Sequence, residues 1–321
     1  MFDLAELEAA AEIVHAAFPA TQTYAWPLLA ARLGTEIWVK HENLTPTGAF
    51  KVRGGLTYFA RNRGGPGVVS ATRGNHGQSL AYAGVKSGVP VTIVVPHGNS
   101  VEKNAAMRAF GATLVEHGED FEAARDHAQM IAKRDGLVFA PSFHADLVVG
   151  VATYALEMFR AAPPLDVVYV PIGLGSGICG VILTRDLLGL PTEIVGVQST
   201  GADAYAQSLR AGHVIETNRA DTLADGMATR KPDADAFAII KAGAARIVTV
   251  TDDEVAAAMR AYWTATHNLA EGAGAAPLAA ATRERARLSG RKVGLVLSGG
   301  NVDIDLFQRW VMAAPEAAAA A

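Results

Sequence analysis

The stretch Lys40-His-Glu-Asn-Leu-Thr-Pro-Thr-Gly48-Ala-Phe50-Lys51-Val-Arg-Gly54 decides how the rest of the chain is read. It follows a short apolar strand and sets one lysine, Lys51, directly after an apolar residue in a glycine-containing turn, where a helix is expected to begin. A lysine held there, partly shielded from water, has a lowered pKa and can form a Schiff base with an aldehyde. Alone, a Gly-x-Phe-Lys string fits a solvated surface lysine equally well. Three further motifs carry the choice.

Outward from this turn, short apolar strands alternate with helices. Strands are expected at Ile37–Val39, Val68–Ser70, Val91–Val95, Thr113–Val115, Val167–Val170, Ile194–Val197, Ile247–Val250 and Gly294–Leu297. Helices are expected between them, including His76–Ser87, Phe121–Arg134, Leu147–Phe159 and Asp253–His267. A run such as Val-Thr-Ile-Val-Val is apolar on both faces, as a parallel sheet covered by helices requires. The fold class is therefore α/β. At the N-terminus, Asp3 and Glu6 form a capping box for a first helix, with Leu4, Leu7, Ala11, Val14 and Phe18 on its apolar face. Pro163-Pro164 breaks the chain before a new strand, and the Ala317–Ala321 tail is expected to fray.

The second motif is Ser70-Ala-Thr72-Arg73-Gly74-Asn75-His76-Gly77-Gln78, where a strand ends and a helix starts. Free backbone N–H groups in such a turn can hold a carboxylate, and Asn75 can hydrogen-bond a phenolic oxygen. The third is Val170-Pro-Ile-Gly173-Leu174-Gly175-Ser176-Gly177-Ile-Cys-Gly180, directly after a strand. Glycines there let backbone N–H groups approach a phosphate at a helix start. The same segment reads as a nominal Gly-x-Gly-x-x-Gly dinucleotide fingerprint, which admits a nicotinamide-dependent oxidoreductase. That rival wants an acidic residue at the end of the next strand, which instead ends in Gln198, and it leaves Lys51 without a role. The fourth motif is Leu295-Val-Leu-Ser298-Gly299-Gly300-Asn301, which presents one hydroxyl at the carboxyl edge of the sheet, where α/β ligands bind.

Taken together, the four motifs resemble the threonine dehydratase, serine racemase and tryptophan synthase β family of pyridoxal-phosphate enzymes, and the matched blocks run from Lys40 to Asn301. The resemblance implies the fold type II architecture: two domains, each a mostly parallel twisted sheet flanked by helices. The large domain would combine residues 1–46 and 146–321, and the small inserted domain would span 47–145. It implies pyridoxal 5'-phosphate bound through Lys51 beside Phe50, with its phosphate on Gly173, Leu174, Gly175, Ser176 and Gly177. Asn75 would meet the ring hydroxyl, Ser298 the pyridine nitrogen, and Glu271, in Ala270-Glu271-Gly-Ala-Gly-Ala, would line the site near the ring. Thr72, Arg73, Gly74, Asn75 and His76 would grip the substrate, and Lys51 and Ser298 would be the catalytic pair. Ala224-Asp225-Gly226 matches a further family segment. The implied reaction is β-elimination from a 3-hydroxy amino acid such as L-threonine or L-serine, giving a 2-oxo acid and ammonia. A serine at the ring nitrogen makes a weaker electron sink than an aspartate, which suits rapid elimination over transamination.

Several positions depart from the family pattern. Ala49 replaces the common serine before Phe-Lys, and Leu174 and Ser176 interrupt the usual glycine run. Arg73 stands where serine racemases place a serine that works on the second face of the substrate; an arginine is a poor proton shuttle, so weak or absent racemisation is expected. Arg73 can instead grip a second carboxylate in a bidentate fork, which favours a 3-hydroxyaspartate-like substrate. It equally fits a residue that points outward or pairs with a nearby acid. Gln198 and Ala204 fall where metal-stimulated relatives have carboxylate ligands, so no divalent metal is expected, although Asp203 lies close by. His144, in Phe143-His144-Ala-Asp146, reads as a structural loop histidine.

Composition agrees with an enzyme of this kind. The chain has 321 residues, half of them apolar and 19% charged, and a net charge of -4. That balance is globular and gives no basic footprint for nucleic acid. No apolar run is long enough to span a bilayer, and the acidic start lacks the basic region of a secretory leader. The single cysteine, Cys179, excludes an intramolecular disulfide framework. These points favour a cytoplasmic protein, and the resemblance implies a homodimer acting on a small amino acid, with no regulatory domain expected beyond about residue 310. Other readings are a β-replacement synthase, a racemase and a non-catalytic protein that binds the cofactor or an amino acid.

Overall fold

The structure is a computed structural model and describes residues 1–62 and 65–312; the expected fraying of Ala317–Ala321 lies outside that range. Ten strands among the described residues form two sheets: β1 (Thr23–Ala25), β2 (Glu36–His41), β3 (Val68–Ala71), β4 (Val91–Val95), β5 (Thr113–Glu116), β6 (Val138–Phe139), β7 (Val167–Pro171), β8 (Glu193–Ser199), β9 (Arg246–Val250) and β10 (Lys292–Leu297). One sheet runs β1-β2-β10-β7-β8-β9, the other β5-β4-β3-β6. Every pairing of these strands is parallel except β1 with β2. This is the helix-covered α/β architecture expected.

Local chemistry explains the elements. The first helix, Leu4–His15, starts at the Asp3–Glu6 capping box, with both reciprocal bonds made. On its inner face Leu7, Ala10 and Ala11 pack against the helix Ala145–Ala161, while Val14 joins a cluster with Val52, Leu56 and Phe59. The central strands β7 and β10 are buried along almost their whole length, because helices cover both faces. The helix Asp252–Thr266 ends one residue earlier than expected. His267 takes a left-handed conformation (φ 54) and caps it instead. Two strands escaped the pattern reading, β1 with three residues and β6 with two. Neither is long enough to show a period. Among the described residues, no helix is long and apolar enough to cross a membrane.

Candidate active site

Turns that follow the carboxyl ends of β3, β7 and β10 converge with the Lys51 turn on one cavity of about 880 Å³. Open α/β sheets bind ligands at this edge because helix N-termini and free backbone N–H groups gather there. Phe50 N–H donates to the Ser298 carbonyl at 3.0 Å, and Ala49 bridges Gly299. These bonds tie the lysine turn to the end of β10. Lys51 opens the helix Lys51–Arg61, and Ser79 Oγ donates to its carbonyl at 2.6 Å. Lys51 is half-buried and lines the cavity. Its amine sits 5.1 Å from the Phe50 ring centroid and donates to Ser176 Oγ at 2.9 Å. Burial pulls it down to about 8.

Ser176 is the first residue of the helix Ser176–Leu187. Gly175 enters it with φ 110, and a Cβ there would come 2.7 Å from Ala236 Cβ, so only glycine fits. The first bond along this helix runs from Cys179 N–H to the Gly175 carbonyl. The N–H groups ahead of it face the cavity edge as a helix N-terminus does. Two buried tyrosines hold the turn from behind. Tyr205 Oη donates to the Leu174 carbonyl at 2.7 Å and Tyr154 Oη to the Gly177 carbonyl at 3.0 Å.

Opposite lies the turn Thr72–His76. Thr72 Oγ1 accepts from Gly74 N–H at 3.1 Å, and Asn75 opens the helix Asn75–Ser87. The Asn75 amide donates to both Glu271 oxygens, at 2.9 and 3.1 Å, and its carbonyl accepts from Asn301 at 2.8 Å. Glu271 is 7% exposed. Burial raises it to about 7, against the opposing pull of Lys103 and the Asn75 bond. His76 is buried, and its Nε2 has no partner among the described residues. Burial, with the Lys51 charge nearby, holds it near 3 and hence neutral. Ser298 is buried on the cavity wall. Arg73 lines the same cavity, is exposed, and makes no ion pair among the described residues. All the cofactor and substrate residues singled out from sequence thus border this one cavity.

Sequence reasoning missed two charged groups on the cavity wall. Lys103 and Asp225 form an ion pair there. Asp225 lies in a segment already noted, whereas a lysine in an amphipathic helix reads as solvated. His144 has a structural role: its Nδ1 accepts from Asp146 N–H and caps the helix Ala145–Ala161. Gln198 is buried and accepts from Ala206 N–H through its side chain. Among the described residues no group of three or more His, Cys, Asp or Glu side chains is arranged to hold a metal.

Comparison with known proteins agrees with this geometry. Residues 16–299 match the family model described as pyridoxal-phosphate dependent enzyme. An L-threonine ammonia-lyase of Thermotoga maritima is 34% identical, over 88% of this chain and 71% of its own. An L-threo-3-hydroxyaspartate ammonia-lyase of a Pseudomonas species is 32% identical, over 87% of this chain and 89% of its own. The processed form of threonine deaminase isoform 2 from Solanum lycopersicum superposes with a TM-score of 0.87 at 28% identity, covering 96% of this chain and 93% of that one. The architecture is therefore fold type II.

Proposed function

The chain belongs to the pyridoxal-phosphate dependent enzymes and is of their ammonia-lyase type, with pyridoxal phosphate as cofactor, and from that premise we propose that it eliminates the β-hydroxyl of a 3-hydroxy amino acid such as L-threonine or L-serine and releases ammonia, leaving a 2-oxo acid. The observation that carries this is the Lys51 amine, desolvated and hydrogen-bonded to Ser176 at the glycine turn, in one cavity with Asn75, Glu271 and Ser298.

The residues present fit the cofactor. The glycine turn at the start of a 12-residue helix offers backbone N–H groups to a phosphate, and a side chain at Gly175 would collide with Ala236 behind the turn and shift it. A lysine held near 8 is the amine that an aldehyde needs. Ser298 offers a neutral hydroxyl to a ring nitrogen. Asn75, braced between Glu271 and Asn301, would be the residue to hold the ring's hydroxyl. When bound, pyridoxal phosphate supplies a conjugated ring that delocalises the charge left at the substrate Cα.

The chain's own residues bind, orient and move protons. The turn Thr72–His76 takes the substrate carboxylate on backbone N–H groups, with His76 neutral and its Nε2 free to donate or accept. Lys51 Nζ takes the Cα proton: near 8, a useful fraction of the amine is unprotonated at neutral pH. The test is 2-oxo acid release by the cofactor-loaded protein from L-threonine, L-serine and the 3-hydroxyaspartate stereoisomers. Silence on all of them would overturn the reading in favour of a replacement or binding role.

One observation favours a second reading. The exposed Arg73 guanidinium has no carboxylate partner among the described residues and fronts the cavity. A 3-hydroxyaspartate would bring the missing carboxylate. The same proposal takes the chain as residues 1–46 plus 146–321 with an inserted unit 47–145, which contains all four strands of the smaller sheet. It also takes the protein as a cytoplasmic homodimer, which scattering of the holoenzyme in solution would check.

A further inference from the structure

Lys103 is a buried charge in the cavity that the elimination leaves without a part. It comes from the helix Val101–Ala109, which links β4 to β5 in the smaller sheet. Its amine pairs with the carboxylate of Asp225, in a segment that packs with the larger sheet's helix Gly272–Arg283. Its stem lies across the active-site turn: a Cβ on Gly74 would come 2.9 Å from Lys103 Cδ. Two more bonds tie the same helical turn across the cleft. Ser100 Oγ donates to Asp303 Oδ1 at 2.7 Å, and Ile304 N–H donates to Glu102 Oε1 at 3.0 Å. The Lys103 charge also faces Glu271, the carboxylate that holds Asn75.

We propose that Lys103 is a positioning residue for the reaction: it clasps the Gly74–Asn75 turn against Asp225 and keeps the Glu271–Asn75 pair in place. The inference rests on the reading that Asn75 and Glu271 meet the cofactor ring. The charged groups facing Glu271 are Lys103 and Asp225, with the Asn75 amide between; Asp303 faces Lys103 in turn. Remove the lysine charge, and two carboxylates share a partly buried site with no cation between them. Burial already raises Glu271 and the Lys103 charge opposes that rise, so without the lysine the protonated form of Glu271 is favoured further. A protonated Glu271 is a poorer acceptor for Asn75.

The experiment uses the full chain and four proteins: Lys103→Met, Lys103→Arg, Glu271→Gln and the double variant Lys103→Met/Glu271→Gln. Pyridoxal-phosphate affinity is read by absorbance titration of the apoprotein, and kcat and KM for the wild type's preferred 3-hydroxy amino acid are measured alongside. The Met variant should lose at least about tenfold in both cofactor affinity and kcat/KM, the effect of losing a contact to a charged group. The Arg variant should recover most of that. In the Glu271→Gln background the Met change should add little to the loss of cofactor affinity, because both act through one pair. A Met variant indistinguishable from wild type overturns the proposal, as does a full additive loss in the Glu271→Gln background. An Arg variant as impaired as the Met variant but with an unchanged melting temperature also overturns it. Should the wild type itself neither bind the cofactor nor turn over any 3-hydroxy amino acid, the underlying reading fails first and the inference falls with it.

Discussion

Lys51 Nζ donates a 2.9 Å hydrogen bond to Ser176 Oγ, across 125 residues of sequence. The bond joins the start of one helix to the start of another and brings a desolvated amine to the glycine turn. An aldehyde and a phosphate on one small molecule can be met together there. The strands that carry the turns belong to two different sheets, so the site exists only when both have formed.

Replacing Lys51 with alanine should abolish the visible absorbance of the bound cofactor and lower 2-oxo acid release by roughly 10³-fold or more, the scale of losing a positioned base. Borohydride treatment of the wild type followed by peptide mapping should place the reduced cofactor on Lys51. Undiminished turnover in the alanine variant, or label on another lysine, would contradict the assignment.

Burial sets the pH at which the apoprotein captures its cofactor. Lys51 sits at about 8, and capture needs the free amine. The rate of pyridoxal-phosphate uptake should therefore rise with pH through about 8 and level off above it. Ordinary exposed lysines titrate near about 10.4, so their labelling would still be climbing there. A stopped-flow series spanning both values reads the midpoint; one at the ordinary lysine value would mean that the amine is solvated.

Much of this was legible before any coordinates. The motif residues Lys51, Asn75, Ser176 and Ser298 were legible because each sits in a local sequence motif, at a glycine turn or a helix start, that resembles the family's. What was not legible depends on distant partners. Lys103 finds Asp225 more than a hundred residues away, and Tyr205 reaches back to the Leu174 carbonyl. No period or spacing encodes such meetings. The Ala224-Asp225-Gly226 segment was recognised, but its partner could not be. Strand β1 was missed for another reason: three edge residues, half-buried or exposed, show no apolar alternation.

Gly175 to alanine tests the phosphate turn. The native φ of 110 is costly for any residue with a Cβ, and that Cβ would press on Ala236. Strain of this kind costs about 1–3 kcal/mol. If the turn holds the phosphate, cofactor affinity should fall by about tenfold or more. Titration of the apoprotein and a melting curve separate the two effects. A lower melting temperature with unchanged affinity would move the phosphate elsewhere.

Arg73 to alanine separates the two substrate readings. If Arg73 grips a second carboxylate, kcat/KM for 3-hydroxyaspartate should drop by about 10- to 100-fold, the worth of a hydrogen bond to a charged group. The value for L-threonine should stay within about twofold, since threonine has nothing for the guanidinium to hold. An equal loss on both substrates would make Arg73 part of the turn's structure. No loss on either would leave it a solvent-facing residue.

Arg53, two residues beyond Lys51, is fully buried between two carboxylates. Its guanidinium donates to Glu42 at 2.6 and 2.9 Å and to Glu157 at 2.6 and 2.8 Å, and Lys40 also reaches Glu157. Replacing Arg53 with methionine leaves Glu42 buried without an ion-pair partner among the described residues and removes the main cation from Glu157, and should cost about 3–5 kcal/mol in urea unfolding. The same site makes the fold acid-sensitive. Burial alone would raise Glu157, but Arg53 and Lys40 outweigh it and hold the carboxyl at about 2, below its ordinary 4.5. A carboxyl depressed in the folded state contributes stability that is complete above 4.5 and is lost as pH falls towards 2. The urea midpoint of the wild type should therefore fall through that window. In the Arg53→Met variant, with Lys40, His15 and the Thr21 N–H left on Glu157 but its buried guanidinium gone, the acid-side fall should be shallower and begin from a lower plateau. A variant as stable as wild type at neutral pH would show that the acids find other partners.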